Sequence, residues 1–551
     1  MAAQALGRAS VLGDRAARQV ALGACFFMLS DSLLATNRFV QPLPLAQGGT
    51  RKPRFFLYSN KDRVLGPATQ ILIELIKNFD AAPLDAQSAF SGTREVDPLA
   101  IEDYLAWGYV PDHRSILKGV EKLPAGHYRL VRHDQPASAP VRWWDVSFTD
   151  RRRESAADLE AELLFHLREA VTSRMVADVP LGAFLSGGVD SSSVVALMAE
   201  SSRERVGTCS IGFDEDALDE TSYARDVATR FGTDHRERKV GSDDFAQIGN
   251  LAAMFDEPFA DASALPTWRV CQLARERVTV ALSGDGADEA FGGYRRQVFH
   301  HHEERARSIL PAGLRAPLFG ALGRAWPKAD WAPRPLRAKA TLLALAESGE
   351  EGYARGLSVT LPDARRALYS DSFTASLEGF RGEDELIALM RAAPGRSGLD
   401  RAQYADLMFW MPGDILTKVD RTSMAVSLEA REPLLDHRLV EFAARLPEGM
   451  RVKGGTGKYL LKKSLERYLP HDILYRPKQG FVTPIAEWLR GPLAGAARGI
   501  AGGSLAQTGF FAPTAISTMA EAHIAGRADH SRTLWQLLML EKSLTRLGAS
   551  G

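Results

Sequence analysis

The segment that most constrains the fold lies at residues 181–193, where a short apolar run passes through a glycine-rich loop into a helix pattern. Residues 179–185 predict a buried strand, and the apolar spacing after residue 192 predicts a helix up to residue 200. The loop between them consists of Ser186, Gly187, Gly188, Val189, Asp190, Ser191 and Ser192. Adjacent glycines let the backbone turn sharply and approach a ligand closely. This strand–loop–helix unit predicts an α/β fold with an anion site at the helix N-terminus.

The residues of this loop favour a pyrophosphate accompanied by Mg²⁺. Serine hydroxyls and helix amides supply hydrogen-bond donors, while Asp190 supplies the hard oxygen ligand that Mg²⁺ prefers. The Walker A pattern is excluded, because no Gly-Lys-Ser or Gly-Lys-Thr follows at the required spacing. An ordinary Ser/Gly turn is the competing interpretation, and the flanking strand and helix patterns argue against it.

Strand and helix patterns alternate over the next hundred residues. Further strands are predicted at residues 208–213, 237–240 and 279–282, and helices at 155–174 and 220–231. Such alternation predicts a parallel sheet with helices on both faces, followed by a mainly helical part beyond residue 295. Ligands of such sheets bind beyond the carboxyl ends of the strands, which is where the loop at 186–192 falls.

A second glycine-rich loop follows the strand predicted at 279–282. It consists of Ser283, Gly284, Asp285, Gly286, Ala287, Asp288 and Glu289. In a parallel sheet this loop comes to the same edge as the first, so that Asp190 and Asp288 each offer a carboxylate to Mg²⁺. Two carboxylates suit this ion, which keeps several waters and takes its other ligands from phosphate.

Two later segments also carry candidate site residues. Acids and bases alternate densely between residues 414 and 436, at Asp414, Lys418, Asp420, Arg421, Glu429, Arg431 and Asp436. They either pair with one another around the cleft or contact a substrate, and the pattern favours neither interpretation. Lys458 follows a glycine-rich turn at a helix start, which predicts a point charge that reaches phosphates. The basic segment at 476–484 is expected to form a turn over the site.

Composition narrows the functional classes. Lys plus Arg and Asp plus Glu number 68 each in 551 residues, which argues against binding to nucleic acid or a membrane surface unless a local basic face is hidden in the balance. Cys25, Cys209 and Cys271 form no CxxC pair, which favours a reducing compartment and argues against structural zinc. The three histidines at 300–302 are interpreted as a solvated helix face. We expect a cytoplasmic protein, since no apolar segment is long enough to span a bilayer.

Together these motifs resemble the synthetase domain of glutamine-dependent asparagine synthetases, which belong to the ATP pyrophosphatase (PP-loop) group with its adenine nucleotide α-hydrolase-like fold. The resemblance covers residues 94–545 and rests on motifs at 186–192, 283–294, 416–424, 457–458 and 478–481. It implies that Leu185, Ile211, Ser283 and Gly284 line the ATP site with the first loop, largely through backbone.

The resemblance also implies particular roles for the charged residues of the site. It implies Asp190 and Asp288 as magnesium ligands and Lys458 as a phosphate contact. Asp285 stands where the family carries an acidic residue near the reacting centre, so Lys458 and Asp285 are the two candidate catalytic residues.

The reaction that the resemblance implies is amide formation with ATP and Mg²⁺. A carboxylate is a poor acyl donor because oxide leaves poorly, whereas transfer of AMP to aspartate gives an aspartyl-adenylate from which AMP leaves readily. Mg²⁺ and lysine neutralise the departing pyrophosphate, and ammonia then attacks the acyl carbon. The implied partners are ATP, aspartate or another carboxylate, and ammonia or glutamine, in a homodimer typical of the family.

The region before residue 94 departs from the family pattern. The family's glutaminase uses a cysteine directly after the initiator methionine, whereas Ala2 stands there and no glutaminase nucleophile is found. We expect an atypical segment at 1–93, a remnant of an α+β glutaminase domain with its linker at 94–147, and the synthetase domain at 148–551. A frameshift or mis-assigned start is our hypothesis for the change, with ammonia as the expected nitrogen donor.

Two alternatives stay open. Relatives of this domain include amidotransferases of exopolysaccharide clusters, and residues 104–111 resemble them, so a carboxylate other than aspartate is one alternative. A non-catalytic relative that only binds nucleotide is the other, and the presence of Asp190, Asp288 and Lys458 argues against it.

Overall fold

The computed structural model describes residues 94–132, 136–213, 219–240, 247–327, 338–476 and 483–548. Arg94–Gly551 group into one compact unit. The predictions for the segment at 1–93, for Cys25 and for the motif at 478–481 fall outside the described residues.

Five strands form the sheet that carries the candidate site. In chain order the described strands are β1 (His127–Tyr128), β2 (Val141–Arg142), β3 (Leu181–Phe184), β4 (Gly207–Phe213), β5 (Asp234–Val240), β6 (Val280–Leu282), β7 (Glu429–Arg431), β8 (Val452–Lys453) and β9 (Thr456–Gly457). Strands β3 to β7 lie in the order β5-β4-β3-β6-β7, and all neighbours are parallel. The two strands that precede the glycine-rich loops, β3 and β6, are therefore adjacent.

Helices make up most of the remaining described chain. They are α1 (Pro98–Trp107), α2 (Ala156–Arg174), α3 (Val189–Ser201), α4 (Thr221–Phe231), α5 (Ile248–Met254), α6 (Ala264–Arg275), α7 (Ala287–Phe291), α8 (Arg295–Arg307), α9 (Ala312–Ala325), α10 (Lys339–Ala346), α11 (Gly349–Leu357), α12 (Pro362–Arg366), α13 (Asp371–Ser376), α14 (Glu383–Ala392), α15 (Gly398–Ala405), α16 (Thr417–Met424), α17 (His437–Arg445), α18 (Glu448–Arg451), α19 (Tyr459–Leu465), α20 (His471–Leu474), α21 (Ile485–Arg490), α22 (Ala494–Gly499), α23 (Ser504–Gln507), α24 (Pro513–Ile524) and α25 (Ser531–Leu547). A π-helix spans Asp406–Leu416, and 3-10 turns span Pro433–Leu435 and Ile500–Gly502.

Both faces of the sheet are covered by helices at its apolar central strands β3, β4 and β6. On one face Leu282 of β6 packs in a cluster with Leu460 of α19. On the other face Cys209 of β4 and Ala281 of β6 pack with Cys271 of α6. Parallel sheets covered by helices on both faces are typical of α/β proteins. The predicted parallel sheet and the mainly helical part that follows it are confirmed.

Helix α1 packs into the core of the C-terminal helices. Its start is capped by Asp97, whose Oδ1 accepts a hydrogen bond from the Leu99 amide at 2.9 Å. Tyr104 donates to the backbone oxygen of Gln536 in α25 at 2.7 Å, and the Gln536 amide donates back to the Tyr104 carbonyl at 3.0 Å. The division of the chain at residue 147 stays a prediction.

Several predictions differ from the structure. Helix α3 begins at Val189 rather than at residue 192. The edge strand β7 was not predicted, because its Glu-Ala-Arg sequence lacks an apolar pattern. The solvated face predicted for the histidines at 300–302 is wrong for two of them, since His300 and His301 are buried. The His300 ring packs against Tyr353 of α11, and burial lowers the pKa of its imidazole to about 3.

Candidate active site

The two glycine-rich loops meet where β3 and β6 end. Ala183 of β3 lies opposite Leu282 of β6, so the two strands finish side by side. A Cβ added to Gly284 would lie only 2.5 Å from the amide nitrogen of Ser191. The second loop therefore rests directly on the backbone of the first, which is an approach that only glycine permits.

Serine side chains hold the first loop in shape. Ser191 Oγ accepts a hydrogen bond from the Ser186 amide at 3.1 Å and lies 3.0 Å from Ser186 Oγ. Gly187 adopts a φ of +70°, and a Cβ there would lie 2.6 Å from the Ala224 amide of α4. Because α3 starts inside the loop, its first amides have no acceptor within the helix. Ser192 is wholly buried, and its hydroxyl has no hydrogen-bond partner among the described residues.

Lys458 joins the acidic residues of both loops. Its Nζ lies 2.5 Å from Asp190 Oδ2 at the start of α3 and 2.7 Å from Asp288 Oδ1 in α7. Lys458 itself immediately precedes α19 and has a φ of +57°, an uncommon backbone conformation for a residue with a side chain. Backbone strain of this kind often accompanies a functional position.

The Lys458 ammonium is buried yet charged. Burial opposes its charge, but the carboxylates of Asp190 and Asp288 outweigh that effect and raise its pKa above the ordinary value of a lysine. A desolvated positive charge at this point attracts a phosphate far more strongly than one in water. The site therefore offers a fixed cation beside the helix N-terminus of the first loop.

The same two carboxylates fit Mg²⁺. They are hard oxygen donors from separate loops, brought together around one positive charge. The described residues contain no cluster of three or more His, Cys, Asp or Glu side chains able to hold a metal ion. An ion held by Asp190 and Asp288 would thus take its remaining ligands from phosphate and water, as Mg²⁺ commonly does.

The other residues predicted to line an ATP site lie around the two loops. The Leu185 amide donates to Cys209 O at 2.9 Å, and the Ser283 amide donates to Arg431 O at 2.8 Å, so both extend the sheet. The Leu185 and Ile211 side chains are buried in clusters on opposite faces of the sheet. Ser283 Oγ donates to Asp285 Oδ2 at 2.5 Å, which orients the predicted catalytic carboxylate.

A second buried lysine lies beside the second loop. The sequence did not indicate two of its partners. Lys418 Nζ donates to Asp261 Oδ2 at 2.6 Å and to Ser263 Oγ at 2.9 Å. Burial opposes the Lys418 charge, but Asp261, Asp414 and Asp285 raise the pKa of its ammonium above the ordinary value. Asp261 and Ser263 follow a turn-rich run before α6 whose pattern does not indicate a site.

The π-helix Asp406–Leu416 leads into this cluster. Pro412 lies inside it and lacks the amide that an α-helix requires, while Gly413 is so close to the Tyr109 ring that a Cβ would lie 2.1 Å from Cε2. Asp414 follows and is buried, so desolvation, reinforced by the charge of Asp261, raises the pKa of its carboxyl. Such wide turns occur frequently at functional sites.

Most of the other charged residues between 414 and 436 form ion pairs. Arg421 pairs with Asp420 and with Asp256, Arg431 pairs with Glu429, and Asp436 pairs with Arg174. Of the two interpretations that the sequence left open, internal pairing thus describes Arg421 and Arg431. Asp436 pairs outside the segment.

Other basic residues of these later segments differ in burial. Arg476 Nη1 lies 2.5 Å from Glu220 Oε1, and its guanidinium stacks 4.2 Å from the Tyr223 ring, beside the first loop. The rest of the predicted covering turn, up to residue 482, lies outside the described residues. Lys463 is exposed and pairs with Glu466, whereas Lys462 is half-buried, so that burial and the nearby Lys458 charge lower the pKa of its amine.

Two of the three cysteines lie within the described chain. Cys209 and Cys271 are free and buried, and burial raises the pKa of their thiols to about 11 and about 12. Across the described ranges, none of the helices has both the length and the apolar content needed to cross a bilayer.

Family models and known proteins match this chain over most of its length. The family model described as asparagine synthase matches residues 162–545, and a model described as the YhhN family matches residues 1–50. A putative glutamine-hydrolysing asparagine synthetase of Mycobacterium bovis is 34% identical, over 81% of this chain and 67% of that protein. Asparagine synthetase 1 of Bacillus subtilis, also glutamine-hydrolysing by name, is 30% identical over 81% of this chain and 68% of its own.

A fungal relative carries a different name. Amidase chyE of Penicillium rubens is 27% identical, over 71% of this chain and 65% of that protein. The asparagine synthase model covers the strands of the sheet, both glycine-rich loops and Lys458. With that match and the two bacterial relatives, the chain belongs to the asparagine synthase family of carbon–nitrogen ligases.

Proposed function

We propose that this protein forms an amide by adenylating the side-chain carboxylate of aspartate, with asparagine, AMP and pyrophosphate as products. Membership of the asparagine synthase family supports ATP-dependent amidation. The names of the bacterial relatives support aspartate as the carboxylate. The proposed ATP-binding residues are those of the first loop with Leu185, Ile211, Ser283 and Gly284.

The observation that carries the proposal is the contact of Lys458 with Asp190 and Asp288. This contact brings a buried, charged ammonium to the N-terminus of helix α3, which begins in the first loop. Negative charge accumulates on the pyrophosphate when the bond between the α-phosphorus and its bridging oxygen breaks. A preorganised cation stabilises that charge without having to reorganise. This contact therefore supports the splitting of ATP between its α- and β-phosphates at this site.

The two steps balance in atoms and charge. A carboxylate oxygen of the substrate attacks the α-phosphorus, and pyrophosphate leaves with the bridging electron pair. Ammonia then attacks the acyl carbon, AMP leaves, and the nitrogen loses a proton. We assign Asp190 and Asp288 as magnesium ligands, and Mg²⁺ bound there would supply further charge neutralisation on the phosphates. The protein itself contributes orientation and fixed charge.

The cluster around Lys418 fits the second substrate. Lys418 with Asp261 presents opposite charges beside Asp285, and an amino acid carries an ammonium and a carboxylate on one carbon. Charges of both signs at fixed positions match this pair of groups. We therefore place the substrate amino acid between the second loop and α16, with Asp285 near the reacting carboxylate.

Exchange of labelled pyrophosphate into ATP tests the proposal. With Mg²⁺ we expect exchange only when aspartate is present, because the reversible step is formation of aspartyl-AMP. Lys458→Met should lower exchange by about 10² to 10³-fold, and Lys463→Met, on the exposed face of α19, should leave it intact. Exchange that is absent with aspartate and with every other carboxylate, while ATP still binds, would refute adenylation.

A carboxylate other than aspartate is the second candidate, and the amidase names of the fungal relatives favour it. The same assay separates the two, since exchange that depends on glutamate or a uronic acid but not on aspartate would establish the alternative.

We propose ammonia as the nitrogen source. Amide formed with ammonium chloride but not with glutamine supports this choice, and equal turnover with glutamine contradicts it.

The division into segments at 1–93, 94–147 and 148–551 and the homodimer remain proposals. Separate expression of residues 94–551 tests the boundary at residue 94. If this shorter chain retains exchange activity and a cooperative unfolding transition, it needs nothing before residue 94.

A further inference from the structure

Helix α9 presents an apolar face to solvent. Leu314, Leu318 and Leu322 are 64%, 49% and 43% exposed, and Ile309 just before the helix is 78% exposed. The leucines are spaced by four residues, so they form one row about 12 Å long on one side of the helix. A continuous row of this kind marks an interaction surface rather than scattered exposure.

Two arginines of this region face the interior instead. Arg315 is buried and donates to the carbonyl oxygens of Leu345 and Glu347, and Arg307 of α8 donates to Ala344 O at 2.8 Å. These carbonyls lie at the C-terminal end of α10, where positive charge is favourable. The two arginines thereby fix the orientation of α9 and direct its leucines outward.

Helix α10 covers the inner side of α9 but leaves the row of leucines uncovered. A Cβ on Gly323 of α9 would lie 2.8 Å from Leu343 Cδ2 of α10, so the glycine allows the two helices to approach closely. Among the described residues between Phe291 and Tyr353, no hydrophobic side chain is fully buried. The α9–α10 hairpin therefore contributes apolar surface that the hydrophobic cores of this chain do not use.

Helices α9 and α10 carry basic and no acidic side chains, and Glu303, Glu304 and Glu347 flank them. Residues 305–327 and 338–346 contain five basic and no acidic residues, although the whole chain is neutral. Arg305 and Arg324 are exposed near the two ends of α9. A second copy of this chain would bring equal charges together across a twofold axis, which disfavours self-association. An anionic surface is complementary in charge.

We propose that the α9–α10 hairpin docks this protein on an anionic lipid surface, with the leucine row in the interface and Arg305 and Arg324 at the headgroups. Helices with an apolar face and basic residues lie in the plane of a membrane in this way, with the apolar face inserted at the headgroup boundary. The docking is peripheral and needs no spanning helix. It also identifies the local basic face that the net charge of zero concealed.

Flotation of the full chain with vesicles tests this proposal. Vesicles of phosphatidylcholine with about a third phosphatidylglycerol should carry the protein at low salt, and vesicles of phosphatidylcholine alone should not, because screening and neutral headgroups remove the attraction. The triple variant Leu314→Ser, Leu318→Ser, Leu322→Ser should weaken binding by about tenfold or more, and Arg324→Glu by about fivefold or more. Leu361→Ser, at an exposed leucine outside the hairpin, is the matched control and should bind as the unmodified chain does.

The outcomes are distinct because all altered side chains are exposed and the fold does not depend on them. Failure of the unmodified protein to float with anionic vesicles overturns the proposal. Undiminished flotation of the triple variant also overturns it, since another part of the chain would then bind lipid. A dimer in sedimentation that the triple variant converts to a monomer, without any flotation, assigns the leucine row to a second copy.

Discussion

Gly293 leaves the space that the Lys458 side chain occupies. A Cβ on Gly293 would lie 2.0 Å from Lys458 Cε and 2.1 Å from Asp288 Oδ1. The glycine after the second loop therefore determines where the ammonium meets the carboxylates, although nothing in its own chemistry takes part in a reaction.

Gly293→Ala should impair adenylation by displacing Lys458. Its φ is not in the left-handed region, so the added methyl acts through space and not through backbone strain. We expect pyrophosphate exchange to fall by at least about 100-fold, because a displacement of about 1 Å at a reacting centre costs that much. Gly249→Ala, where a Cβ meets nothing within 4 Å, is the control and should retain full exchange. Equal activity of both variants would show that the Lys458 position is not critical.

Lys458→Met should remove the positive charge and leave Asp190 and Asp288 close to each other. We expect exchange to fall by about 10² to 10³-fold, the usual effect of removing one group that stabilises transition-state charge. Lys458→Arg should not restore activity, since the guanidinium is larger and the space beside Gly293 is filled. Melting curves of both variants separate this loss from unfolding, and a fully active Lys458→Arg would contradict the argument from space.

Asp400 should make the stability of the protein sensitive to acid. Burial opposes its charge, but Arg451 Nη2 at 2.6 Å and the guanidinium of Arg151 lower the pKa of its carboxyl. The stabilisation is complete above the pKa of about 4 that the carboxyl has in the unfolded chain, and it is lost as the pH falls toward the lower folded value. The free energy of unfolding of the unmodified chain, measured with urea, should therefore fall progressively below pH 4.

The variant Asp400→Asn tests this dependence. Arg451 is fully buried, so loss of its partner should cost about 3–5 kcal/mol at pH 7. The difference from the unmodified chain should shrink below pH 4, because the unmodified chain then loses the same charge. Arg445→Met, whose pair with Asp150 is exposed, should change the free energy of unfolding by less than about 0.5 kcal/mol at either pH. A difference for Asp400→Asn that is constant with pH would assign the effect to packing alone.

The thiols of Cys209 and Cys271 should resist alkylation in the folded protein. Burial raises their pKa values to about 11 and about 12, so almost no thiolate exists at pH 8. Mass spectrometry after iodoacetamide treatment should find both unmodified, and both modified after denaturation. Rapid labelling of either in the folded state would mean that the helix or strand opens on the time scale of the reaction.

The parts of the fold that a short pattern specifies were predictable from the sequence. The apolar runs of β3, β4 and β6 and the loops after β3 and β6 follow from glycine spacing and strand periodicity. The closeness of Asp190 and Asp288 follows from the rule that parallel strands end at one edge. The features that could not be predicted from the sequence depend on contacts between distant segments.

Three such contacts illustrate the limit. Strand β7 is charged because it lies at the sheet edge, where Arg431 pairs with Glu429 and its backbone extends the sheet beside β6. Lys458 has a left-handed backbone, and its side chain lies against Gly293 and both carboxylates, which are far from it in the chain. Asp261 meets Lys418 across 157 positions of the chain, and no local pattern records this pairing.

Asp261→Asn should affect the amino-acid substrate and spare ATP. Asp261 is bonded to Lys418 and Ser263, whereas the cation of the phosphate site, Lys458, is bonded to Asp190 and Asp288. The substitution keeps the shape of the Asp261 side chain and removes its charge. We therefore expect the KM for aspartate to rise at least about tenfold, a cost of roughly 1.4 kcal/mol, with the KM for ATP unchanged. Asp150→Asn, at an exposed position, should alter neither constant. A rise in the KM for ATP alone would instead place Asp261 at the nucleotide, and an unchanged KM for both would limit it to holding α16 in place.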